Sequence, residues 1–70
     1  MNIYQQSRMN VGFQTIDAAA KALRCSQDIL LQIENGKTPE IEMVLKMEEV
    51  YRNSYLTILW WREKRSVLAA

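Results

Sequence analysis

The chain has 70 residues, room for one domain, and its nine Lys/Arg against eight Asp/Glu leave a formal charge of +1. A chain this short buries only about 60% of the surface its unfolded form exposes, so extra core from a partner is a common remedy. One cysteine and no histidine exclude an internal disulfide and an ordinary zinc site, and no cofactor or metal is expected.

Five short helices are predicted in chain order. The first covers about 2–10 and ends before Gly12. Thr15 caps a second over 16–23, with Asp17 in its first turn and Ile16, Ala20 and Leu23 on one face. This helix carries Ala18-Ala19-Ala20, small side chains that let a crossing helix approach closely. After a break at Arg24-Cys25, Ser26 caps a third helix over 27–35, with Leu30 and Ile33 inward and Gly36 as the stop. Pro39 precedes a fourth, near 41–52, in which Ile41, Val44, Met47/Glu48 and Tyr51 keep helical spacing. Asn53 or Ser54 caps a fifth, from Tyr55 to about Arg65, leaving 67–70 as a frayed tail. A single domain over 1–66 is therefore expected.

The string Ser26-Gln27-Asp28-Ile29-Leu30-Leu31-Gln32-Ile33-Glu34-Asn35-Gly36-Lys37-Thr38 closely resembles the recognition helix and following turn of Cro/lambda-repressor-like (XRE-type) regulators. Upstream, Gly12-Phe13-Gln14-Thr15 followed by Ala20 and Leu23 is similar to that family's second helix and its approach, with one additional residue before Thr15. Downstream, Pro39 and Val44-Leu45-Lys46-Met47 resemble its fourth helix. The likeness covers about 3–56. The opening and the Glu-Val-Tyr end of the fourth helix are most similar to short prophage and mobile-element regulators of Gram-positive bacteria. The resemblance implies an all-α, compact, four- to five-helix lambda-repressor-like DNA-binding domain, with a helix-turn-helix over 15–36 and a C-terminal aromatic helix over 54–65.

By the same resemblance, Arg8 and Glu34 form a structural ion pair clamping the first helix to the third. In such a fold the third helix enters the major groove and meets base edges. With Leu30 and Ile33 inward, the base-reading candidates are Gln27, Asp28, Ile29, Leu31 and Gln32. Glutamine pairs with adenine, aspartate accepts from cytosine, and apolar side chains touch thymine methyls. Gln14, Thr15, Lys21, Arg24, Asn35 and Lys37 are the backbone-contact candidates. The reading face holds no Arg or Lys, and Ile16 stands where many family members carry a phosphate-binding Gln. Glu48 stands where the family has a small residue, and pairing with Arg52 at i+4 is expected of it.

In the fifth helix, Leu56, Leu59 and Trp60 lie together and suit the monomer core, whereas Ile58 and Trp61 fall outside that stripe with Tyr55 near them. Tyr55, Ile58, Trp60 and Trp61 are the candidate dimer or partner interface. Arg62-Glu63-Lys64-Arg65 suits the end of a helix. No apolar run reaches the roughly 18 residues of a membrane span and no signal sequence is visible, so no membrane association is expected; a lone thiol fits the reducing cytoplasm, and the resemblance implies a bacterial one. The leading expectation is a sequence-specific transcriptional regulator, a repressor acting as a homodimer on a double-stranded operator. The alternative is a helix-turn-helix module that binds a protein partner (an antirepressor, an antitoxin-like partner or an inhibitor of a host factor). An enzyme is not expected, since no nucleophile–base pair or phosphate loop is present.

Overall fold

The computed structural model describes the backbone of residues 2–69 and the side chains of residues 2–65. Five helices follow one another: α1 (Ile3–Asn10), α2 (Ile16–Leu23), α3 (Gln27–Glu34), α4 (Ile41–Tyr51) and α5 (Leu56–Ala69), with no strand among the described residues.

Side-chain caps start the first three helices. Asn2 Oδ1 accepts from the Gln5 amide at 2.9 Å, Thr15 Oγ1 from Ala18 at 3.1 Å and Ser26 Oγ from Ile29 at 3.2 Å. Each cap satisfies an amide that the helix itself leaves unpaired. The stops are less regular. Arg24 ends α2 and Arg52 ends α4, both in the left-handed conformation (φ 56° and 53°) that glycine adopts more cheaply. The Arg24 amide bonds back to Ala20 and Lys21, so the chain turns within Arg24, Cys25 and Ser26 and α3 begins at once.

α4 packs against α1, α2 and α5, while α3 is held by α1 and α2. Ala19, Ala20 and Leu23 of α2, Leu30 and Ile33 of α3, Val44, Met47 and Tyr51 of α4, and Leu56 and Trp60 of α5 close around Tyr4 of α1. Two of the three alanines are therefore buried at the contact; Ala18 is exposed.

Several expectations need correction at the C-terminal end. Helix α5 continues through Ala69, so the stretch expected to fray from residue 67 is helical up to there; Ala70 lies outside the described residues. The basic cluster at 62–65 consequently lies within the helix and not at its end. Glu48 does not pair with Arg52. Its Oε2 instead accepts the Thr57 amide at 3.0 Å and so caps the first turn of α5. A carboxylate at a helix N-terminus satisfies an orphan amide and complements the helix dipole. Glu48→Ala is expected to cost about 1 kcal/mol in a urea melt. Arg52→Ala should be nearly silent, and equal effects of the two would refute the capping role.

The hydroxyls of Tyr4 and Tyr51 are buried without a hydrogen-bond partner among the described residues. Burial, with Glu63 adding to it, pushes Tyr4 up to about 12. Burial, reinforced by Glu34, raises Tyr51 further still. Both native values exceed the unfolded value near 10, so above that pH the unfolded chain releases protons that the native chain keeps. Stability is accordingly complete below about pH 10 and falls from there towards 12, by about 1.4 kcal/mol per pH unit for each tyrosine. Thermal melts between pH 9 and 12 check this. The Tyr4→Phe/Tyr51→Phe chain should lose far less, and an identical alkaline decline would refute the assignment.

Candidate nucleic-acid interface

Helix α3 has eight residues and buries only Leu30 and Ile33. At 100° per residue this sets the rest of its surface. Asp28, Leu31 and Gln32, with Asn35 just past the helix end, take the outward arc, and all are exposed. Gln27 stands on the flank toward α2. Ile29 stands on the opposite flank, where it lines an open groove of about 320 Å³ with Ile33, Pro39 and Met43, edged by Lys37, Lys46, Glu40 and Glu42. Ile29 and Leu31 are 44% and 43% exposed, so the face is part polar and part apolar.

Helix α2 shapes the Gln27 flank. Gln27 Nε2 donates to Asp17 Oδ1 at 2.9 Å, and Asp17 Oδ2 lies 3.2 Å from Lys21 Nζ. One carboxylate thus fixes an amide and matches a cation, leaving Gln27 Oε1 outside that bond. All three side chains are exposed, so the ion pair itself contributes little stability. At the far end, Lys37 Nζ donates to Gln32 Oε1 at 3.1 Å. Gln14, Thr15 and Arg24 are also exposed, Thr15 being committed to its cap.

Behind this face, Arg8 Nε reaches Glu34 Oε2 at 2.8 Å and Nη2 reaches Oε1 at 3.2 Å. Its Nη1 donates to the Phe13 carbonyl at 2.7 Å. Both charged side chains are 6% exposed. A two-pronged arginine–carboxylate contact is strong and directional. It holds the end of α3 to α1, and Asn2 Nδ2 adds a bond to the Ile33 carbonyl at 2.8 Å.

The aromatic helix divides along the expected stripe, but the inclusion of Trp60 in the candidate interface needs correction. Tyr55, Ile58 and Trp61 are exposed, but Trp60 is a core residue, 6% exposed, and does not belong with an outward patch. Its Nε1 donates to the Pro39 carbonyl at 2.7 Å. The reason is rotational: Trp60 follows Leu56 by four residues and shares its inward face, whereas Trp61 is turned a further 100°. The two indoles meet edge to face with centroids 5.4 Å apart.

Sequence reasoning missed Asp17 as the anchor of Gln27 and Trp60 as the anchor of Pro39. The spacing of Leu56 and Trp60 signalled the burial of Trp60 but not its partner, and nothing in the sequence signalled the first. Comparison with protein-family models, with curated proteins and with solved structures finds no match to this chain.

Proposed function

We propose that this chain is a helix-turn-helix regulator of the XRE kind, a repressor that binds duplex DNA as a homodimer in the bacterial cytoplasm and acts by occupancy. The observation that carries the reading is the division of α3. Two buried apolar residues and a buried ion pair anchor it from behind, while every base-reading candidate is exposed, Asp28, Leu31 and Gln32 in front and Gln27 and Ile29 on the flanks. Exposed Lys21, Arg24 and Lys37 stand on the segments flanking that face, where phosphate contacts would fix the register. Gln27 and Gln32 read base edges, and Asp28 selects cytosine. Tyr55, Ile58 and Trp61 supply the dimer surface, aromatics and aliphatics being the residue types that enrich interfaces.

Fluorescence anisotropy against pooled random duplex tests the reading. Affinity should fall roughly tenfold or more between about 50 and 200 mM salt. Gln27→Ala/Gln32→Ala should abolish discrimination between operator and random sequence. Absence of binding at the lower salt would overturn the proposal.

One observation favours a second reading, a protein-binding module. Asp28, Ile29 and Leu31 share the exposed surface of α3, and Lys21 is already matched by Asp17. In that case duplex affinity is negligible and Leu31→Asp abolishes capture of the partner.

A further inference from the structure

We infer that Trp60 is the positioning residue for the segment 37–40, through which the chain would grip the phosphate backbone beyond α3. The inference rests on the DNA-binding reading proposed above. The near end of this segment is tied to α3 by three local bonds, Gly36 N–H to the Ile33 carbonyl at 3.2 Å, Lys37 N–H to the Gln32 carbonyl at 2.9 Å and Lys37 Nζ to Gln32 Oε1 at 3.1 Å. Those bonds end at Lys37. At the far end, Glu40 begins α4 without any side-chain cap. α4 holds Glu40 itself through the Met43 and Val44 amides, which donate to its carbonyl at 3.0 and 3.1 Å, so the bond from Trp60 to the buried Pro39 carbonyl supplies, from α5 and 21 residues away, the hold on the middle of the segment.

The indole is itself well fixed. The edge contact with Trp61 bounds it, and Lys64 Nζ lies over its ring at 4.9 Å from the centroid. A cation over an aromatic face is attracted to it. A buried carbonyl that loses its donor is costly, so the segment re-orients to satisfy Pro39 when the indole N–H is removed. Lys37, two residues away and exposed, then no longer meets its phosphate.

The test uses the full chain and Trp60→Phe, which keeps an aromatic ring but removes the donor. Wild type, Trp60→Phe, Lys37→Ala and the double variant are titrated with random duplex over a salt series. Trp60→Phe should weaken binding to all sequences alike and reduce the slope of log affinity against log salt by about one. Its effect should merge with that of Lys37→Ala in the double variant, because both remove the same contact. Additive effects, or an unchanged salt slope with only a lower melting temperature, would overturn the inference and leave the DNA-binding reading standing. No duplex binding by the wild type would remove both. If Trp60→Phe does not fold, the isosteric 3-benzothienylalanine at position 60, which lacks the N–H, takes its place with the same expected and overturning results.

Discussion

Arg8→Met should cost about 3–5 kcal/mol, a large share of what a domain of this size commands. Substitution leaves the Glu34 carboxylate, whose side chain is 6% exposed, without either of its guanidinium bonds. It also strips the Phe13 carbonyl of its donor. The loss therefore falls on two groups that water does not readily reach, one of them charged, and removing one partner of a buried pair is far worse than never having had the pair. A thermal melt followed by circular dichroism should show a marked drop in midpoint. Arg8→Met/Glu34→Leu should recover much of it, since no orphan charge remains. An unchanged midpoint for the single variant would show that the pair contributes nothing.

Leu30→Ala carries the second large effect, about 2–5 kcal/mol. Leu30 is fully buried, and it and Ile33 are the two buried residues of α3. Truncation leaves a cavity whose cost depends on how far the surroundings relax. A helix of eight residues is too short to persist without its packing, so α3 itself should loosen first. Urea denaturation gives the loss, and hydrogen exchange should place the excess at the α3 amides. Leu31→Ala is the control: its side chain faces outward and the change should stay within about 0.5 kcal/mol. Equal losses at positions 30 and 31 would contradict the burial of Leu30.

What the sequence made legible followed local rules. Thr15 and Ser26 cap the helices expected of them, because a cap acts on an amide three residues away. Spacing alone gave Ala20 and Leu23 of α2, Leu30 and Ile33 of α3, and Val44, Met47 and Tyr51 of α4 as buried; it missed Ala19, and Ile16 and Ile41 are only partly buried. Arg8 and Glu34 came from likeness to a family, since no local rule joins residues 26 apart. Where expectation failed, a tertiary partner had the deciding role. The i+4 rule pointed Glu48 at Arg52, but the Thr57 amide of α5 donates to the Glu48 carboxylate instead, and an amide carries no sequence signal. Trp60 was drawn into the outward group by its neighbours, while the Pro39 carbonyl it serves is invisible until the loop is placed. Within the candidate site, exposure of the reading face was legible and its internal wiring was not. The bond from Gln27 to Asp17 depends on how α2 and α3 cross.

The adjacent indoles also give the chain two optical reporters with different addresses. Trp61→Phe leaves emission from an indole that is buried and hydrogen-bonded to the 37–40 segment, so its colour follows that loop and resists an aqueous quencher. Trp60→Phe leaves an indole that is 54% exposed and open to quenching until something covers α5. The surroundings of the 37–40 loop and of the exposed face of α5 can therefore be read separately, without attaching a dye.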